Sequence, residues 1–312
     1  MGNSLACLAT HGSPSRPRRA ARAPGTMAAR AAIPDHDVRC PTPMNTHTLS
    51  DQEFGQFRQL IHDIAGISLS PLKKPLVCGR LAKRLTHCRS GSYGEYFKLL
   101  VSGDHPEELQ MAVDLLTTNE TYFFREPKHF DFLRDRILPS WTRTRTFRVW
   151  SAAASTGQEA YSIAMLLAEH LPDAPWEVLA SDISSRVLDR AAAAIYPLEH
   201  ASHIPPALLS RHCLKGVGSQ EGNLRISPEL RARVRFMQIN LNHALPNVGD
   251  FDLIWLRNVM IYFDARTKTQ VVGRLLPRLR PDGHLFVGHS ESLNGVADGL
   301  RALAPSIYRR TA

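Results

Sequence analysis

The chain has 312 residues, with 38 Lys and Arg against 29 Asp and Glu, a formal charge of +9. At 43% apolar and 21% charged it is not globally disordered, and no run approaches the roughly 18 apolar residues of a membrane-spanning helix. Five cysteines (Cys7, Cys40, Cys78, Cys88 and Cys213) form no CxxC pair, which argues for a reducing cytoplasm and against a disulfide scaffold or a Cys-rich zinc site.

The length suggests about two domains. Residues 1–47 are rich in Ala, Pro, Ser and Arg without apolar periodicity, and read as a disordered basic arm. No aromatics alternate with its arginines, so a nucleic-acid tail is disfavoured. No signal-peptide core follows Met1, and Met27 and Met44 are alternative starts. From residue 48 to 116 the pattern is helical. Ser50 and Glu53 form a capping box, and Phe54, Phe57, Leu60, Ile61 and Ile64 recur at helical spacing up to Gly66. A second helix is predicted over 75–88, with Leu76, Leu81 and Leu85 inward. Lys73 and Lys74 precede it, and Arg80, Lys83, Arg84 and His87 follow one face, with Arg89 beyond. This stripe is either a solvated face or a docking surface for an acidic partner. Further helices are predicted over 93–102 and 106–116.

A linker over 117–146 leads to alternating strands and helices over 147–312. Strands are predicted at 147–151, 177–183, 234–240, 252–258, 284–288 and 306–310, an alternation that argues for a parallel, doubly wound sheet. Residues 204–232 interrupt it. There Gly216, Gly218 and Gly222 fit a small β-hairpin insert or a plain loop. In open α/β sheets ligands bind beyond the C-terminal ends of the strands. At that rim stand the small-residue turn 152–157, Asp182 (either a ligand for a ribose diol or a helix cap), Asn240, and Arg257 with Asn258. The single glycine of the first turn suits a nucleoside better than a dinucleotide. His200 and His203 lack further ligands nearby, so no metal site is expected. Gly288-His-Ser-Glu-Ser lacks the closing glycine of a nucleophile elbow, and His289 and Glu291 read as loop-structuring residues.

Five motifs stand in order: Thr117-Thr-Asn-Glu-Thr-Tyr-Phe-Phe-Arg125, Trp150-Ser-Ala-Ala-Ala-Ser-Thr-Gly-Gln-Glu159, Ala180-Ser-Asp182, Arg257-Asn-Val-Met-Ile-Tyr262-Phe-Asp and Gly283-His-Leu-Phe-Val-Gly-His-Ser-Glu291. Together they resemble the chemotaxis receptor methyltransferases (CheR) over residues 48–310. The resemblance implies a Rossmann-like S-adenosylmethionine-dependent methyltransferase domain carrying a small antiparallel β-subdomain, preceded by an all-α N-terminal domain. It implies methyl transfer from S-adenosylmethionine to glutamates of chemoreceptors, with S-adenosylhomocysteine as product, in a cytoplasmic monomer that meets the membrane through its receptors. By motif, Asn119, Thr121 and Arg125 close over the donor, Glu159 takes the methionine amino group and Asp182 the ribose. Asn240 and Leu241 flank the adenine, and Arg257 and Asn258 complete the pocket. Arg125 and Tyr262 fall nearest the transferred methyl. Gln158-Glu159-Ala160 and Leu256 depart from the family's usual residues, while the donor-binding acid is retained.

The same resemblance gives the basic stripe a partner, the acidic methylation helices of receptors. It gives the glycine hairpin another, a receptor's C-terminal pentapeptide added to its edge strand. Two other classes remain at this stage. A nucleic-acid methyltransferase fits the basic charge but lacks an Asn/Asp-Pro-Pro-Tyr-like sequence. A non-catalytic adaptor would bind donor or product and a receptor tail without turnover.

Overall fold

The computed structural model describes residues 47–311, so the basic arm expected at the N-terminus lies outside the described residues. Four helices come first: α1 (Asp51–Ala65), α2 (Lys74–His87), α3 (Tyr93–Val101) and α4 (Pro106–Leu116). Ser50 and Glu53 make the reciprocal capping box at α1, and Gly66 ends it in the left-handed conformation. In α2 the inward residues are Val77, Leu81 and Leu85, with Leu76 only half-buried at the margin.

A linker with a short helix, α5 (Pro127–Phe132), leads to β1 (Phe147–Ser151), α6 (Gln158–His170), β2 (Trp176–Asp182) and α7 (Ser185–Ala193). Next come β3 (Ile195–Pro197), α8 (Pro206–His212), β4 (Cys213–Lys215), β5 (Asn223–Ile226), α9 (Pro228–Arg231) and β6 (Val234–Gln238). The chain closes with β7 (Phe251–Leu256), α10 (Ala265–Leu275), β8 (Leu279–Val287), β9 (Leu300–Ala304) and β10 (Ile307–Arg310). None of the helices among the described residues is long and apolar enough to cross a membrane.

The main sheet has seven strands in the order β6-β2-β1-β7-β8-β10-β9. The first five are parallel, and β10 runs antiparallel to both β8 and β9. From β1 the chain winds outward to β2 and β6 in one direction and to β7 and β8 in the other. The crevice between β1 and β7 is therefore the topological switch point. Both faces of the sheet are covered, as a parallel sheet requires. On one face Phe57, Leu81 and Tyr96 of the helices share a continuous core with Trp150, Ile254 and Leu285. On the other, Tyr161, Ile163 and Leu167 of α6 pack against Val149, Val178 and Trp255.

The insert is larger than the one expected over 204–232. Its sheet, β3-β5-β4, is three-stranded and antiparallel, and its first strand already lies at Ile195–Pro197. That strand is too short for period-two patterning to reveal it. Gly216 lies where the hairpin backbone closes on itself, since a Cβ there would meet the Gln220 carbonyl oxygen at 1.9 Å.

Gly66 governs the junction between the helices and the sheet. Its φ is +72°, and a Cβ there would meet Thr267 Cγ2 at 2.6 Å. Gly66→Ala should lower stability by about 1–3 kcal/mol, read as a lowered unfolding midpoint in thermal denaturation.

Candidate active site

Four of the five parallel strands end in the segments that build one cleft. The turn 152–157 follows β1, Asp182 ends β2, Ile239, Asn240 and Leu241 follow β6, and Arg257 to Phe263 follow β7. Two further segments complete its wall: Ala65 and Ile67 at the end of α1, and Thr117 to Thr121 with Arg125 from the linker. The cleft encloses about 100 Å³ and opens to solvent at its mouth. Asn119, Thr121, Arg125, Glu159, Asp182, Asn240, Leu241, Arg257, Asn258 and Tyr262 all line it.

These residues differ in how free they are. Asp182 is both the anchor of the loops and a wall of the cleft. Its Oδ2 accepts the Ser155 N–H at 2.9 Å and its Oδ1 the Ser184 N–H at 3.0 Å. The cap of α7 is Ser184 rather than Asp182. Burial pushes the Asp182 carboxyl above its usual range, against those amide hydrogen bonds. Glu159, in the first turn of α6, is 9% exposed. It accepts the Ser151 hydroxyl at 2.7 Å and has Oε2 3.1 Å from Arg257 Nε. Burial raises its carboxyl too, and Arg257 opposes the rise. Asn240 already uses its side chain between domains, donating to Ile64 O at 2.7 Å and accepting the Asn242 N–H at 2.9 Å. Tyr262 is half-buried at the cleft, in a short turn packed against the core.

Arg257 is 4% exposed and reaches in several directions. Its Nη2 donates to the Arg125 carbonyl at 2.7 Å and its Nη1 to His129 Nδ1 at 3.2 Å. Since the guanidinium can only donate, the His129 proton sits on Nε2, which faces Ser306 Oγ at 2.8 Å. Burial, with Arg257 alongside, pulls the His129 imidazole down to about 3, so it is neutral. Glu126, His129 and His289 bring donor atoms within 4.8 Å of one another, and the cation beside them is Arg257. Arg125 itself donates to Glu120 O at 2.9 Å and lies 5.7 Å over the Tyr122 ring.

The basic stripe of α2 is not a free cationic face. Arg80 donates to the carbonyls of Leu116 and Thr117 and to Thr118 Oγ1, so it fastens the end of α4 and the start of the linker. Arg84 is paired with Glu108, which also accepts from Tyr96, and Lys74 is paired with Asp51 at 2.7 Å. Each cation spends its charge on groups far away in sequence, a fact that helical spacing alone does not contain. Lys73, Lys83, His87 and Arg89 remain exposed.

Two residues beside the cleft, Glu126 and His129, are absent from those the sequence singles out, whereas Ser155 falls in the turn 152–157 expected at the rim. Glu126 directly follows Arg125, the last residue of the first motif. Glu291 has the loop-structuring role expected of it. Its two oxygens accept the amides of Gly288 at 2.6 Å, Asn258 at 2.9 Å and Ile261 at 3.1 Å, tying the end of β8 to the β7 rim. Glu291→Ala would strand buried amides and should cost about 2–4 kcal/mol, measured by denaturant unfolding.

Comparison with known proteins agrees with this architecture. The family described as CheR methyltransferase, SAM binding domain, matches residues 119–308, and its CheR methyltransferase, all-alpha domain, matches 52–117. Chemotaxis protein methyltransferase 2 of Pseudomonas aeruginosa is 44% identical over 260 residues, covering 82% of this chain and 92% of that protein. The chemotaxis protein methyltransferase of Escherichia coli K12 is 45% identical over 265 residues, covering 83% and 91%. That of Borreliella burgdorferi is 33% identical over 273 residues, covering 84% and 95%. With both of its domains matched and the motif residues gathered on one cleft, the chain belongs to the CheR methyltransferase family and carries its S-adenosylmethionine-binding domain.

Proposed function

We propose that this protein transfers the methyl group of S-adenosylmethionine to glutamate side chains of chemoreceptors, leaving glutamyl methyl esters and S-adenosylhomocysteine. The observation that carries this reading is the convergence on one cleft of ten residues expected at the site, from five separate segments. The donor set fits a cationic nucleoside. Glu159 and Asp182 are buried carboxyls whose ionised forms a cation would favour, the first suited to an ammonium and the second to a ribose diol. Leu241 and Ile239 supply apolar wall for a base. Bound there, the donor supplies an electrophilic methyl on a positively charged sulfur, which leaves with the bonding pair as a carboxylate oxygen takes the methyl.

The protein then has little proton chemistry to perform. A glutamate with a pKa of about 4.3 is ionised at neutral pH, so the substrate needs no general base. The work is to desolvate that carboxylate and align it. Arg125 has the planar donors to hold a carboxylate through two hydrogen bonds, and Tyr262 adds a phenol at the cleft wall. Asn119 and Thr121 belong to the segment that covers the donor. The enzyme would act as a cytoplasmic monomer and reach the membrane only through its receptors.

Two surfaces suit the receptor. Lys73, Lys83 and Arg89 leave a reduced cationic edge on the helical region for an acidic helix bundle. On the small sheet, Ile195 and Leu214 flank Arg225 across three strands, and Leu214 and Val217 are 52% and 79% exposed. An apolar peptide ending in a carboxylate would find both chemistries beside the β4 edge, with Gly216, Gly218 and Gly222 shaping the turn.

Labelled methyl from S-adenosylmethionine should appear on receptor-rich membranes as base-labile label. Arg125→Ala should lower the rate about 100-fold. Donor binding without label in any receptor would instead favour an adaptor. Leu214→Asp should raise KM about tenfold for receptors carrying the C-terminal tail and leave tailless ones unchanged, measured in the same assay.

A further inference from the structure

We propose that Glu126 is a positioning residue that sets the place of Arg125 at the cleft, an inference that rests on the methyl-transfer reading above. Arg125 sits between two left-handed residues, Phe124 at φ 52° and Glu126 at φ 59°. Such backbone is unfavourable for residues with side chains and persists only where surroundings hold it. The holding contacts are visible on both sides. The Phe124 N–H donates to Ser162 Oγ at 2.9 Å, and the Arg125 carbonyl accepts from Arg257 at 2.7 Å. Glu126 Oε1 accepts from Asn258 Nδ2 and from the His289 N–H, each at 3.2 Å. One carboxylate thus pins the linker to the loops after β7 and β8 at once.

Its second oxygen has a separate relation. Glu126 Oε2 is buried without a hydrogen bond, 3.7 Å from Arg257 Nε and 3.4 Å from His129 Nδ1. Arg257 therefore lies between Glu126 and Glu159, whose Oε2 is 3.1 Å from the same nitrogen. The linker and the acid expected to meet the donor share one guanidinium. Glu126 acts on the chemistry only through Arg125 and Arg257. Its contribution belongs to the alignment of the receptor carboxylate more than to the grip on the donor.

The test compares Glu126→Ala and Glu126→Gln in the full chain, with receptor-rich membranes as substrate and S-adenosylhomocysteine as the binding probe. In Glu126→Ala, kcat should fall about 30- to 100-fold while affinity for S-adenosylhomocysteine changes less than about threefold. Glu126→Gln keeps an acceptor for Asn258 and His289, and should recover the rate to within about fivefold of the unmodified protein. Amide hydrogen exchange around His289 and in the linker should speed about tenfold in Glu126→Ala and little in Glu126→Gln. An alanine variant with unchanged kcat, or a glutamine variant as impaired as alanine, overturns the proposal, as does unchanged exchange. If the alanine variant does not fold, Glu126→Asp, which withdraws the carboxylate by one methylene, takes its place with the same expectations. Absence of label with the unmodified protein would sink the methyl-transfer reading alone, because the exchange comparison needs no turnover.

Discussion

A buried guanidinium is costly unless every direction it faces offers an acceptor, and Arg257 imposes that condition on the centre of this molecule. It stands directly after β7, at the crevice where the sheet reverses its winding. Its two Nη atoms donate to the Arg125 carbonyl of the linker and to neutral His129 of α5, while its Nε makes no hydrogen bond and lies 3.1 Å from the Glu159 carboxylate of α6. The aromatic walls around it, Trp255 and Phe130, approach its Cζ to 5.0 and 5.9 Å. Loops that would otherwise be independent are therefore held in mutual register by one side chain. The backbone amides that Glu291 and Asp182 accept do the same for the neighbouring strand ends.

That arrangement gives each buried acid of the cleft fixed partners. Glu159 and Asp182 are both acids in a low-dielectric setting, and each has its charged form supported by fixed partners: a guanidinium for the first and backbone amides for the second. Neither partner set fills the cleft itself. The helical region contributes more than a neighbouring lobe. Its core is continuous with one face of the sheet, and the end of α1 forms part of the cleft wall. Arg80 of α2 holds the first residues of the linker through three hydrogen bonds. The linker that would close over the donor is consequently anchored at one end by the helices and at the other by Arg257 and Glu126.

Local patterns were legible where one element carries its own signal. The capping box and terminal glycine of α1 and the Pro-headed α4 stand where the sequence puts them. The strands leading to Ser151, Asp182 and Arg257 do too, because hydrophobic runs and caps act over a few residues. The short strand β3 and the antiparallel edge strand β9 were not legible. With three and five residues, and both faces of β9 largely exposed, they carry almost no periodicity to read. The stripe of α2 was legible as spacing, while the partners of its cations were not. Helical periodicity says which side chains share a face, and does not say that Leu116, Glu108 and Asp51 will be waiting there.

The sequence by itself determined the family motifs, the winding of the sheet and the list of residues at its rim, since each depends on identity and order along the chain. Tertiary structure alone decided which of those residues are free to meet a ligand. Asn240 is tied to α1, Arg257 is enclosed by its acceptors, and Glu126 is brought against Asn258 and His289 from more than a hundred residues away. The physical reason is that a polar group's role depends on whether its hydrogen-bonding capacity is already satisfied. In a buried rim that is settled by partners distant in sequence.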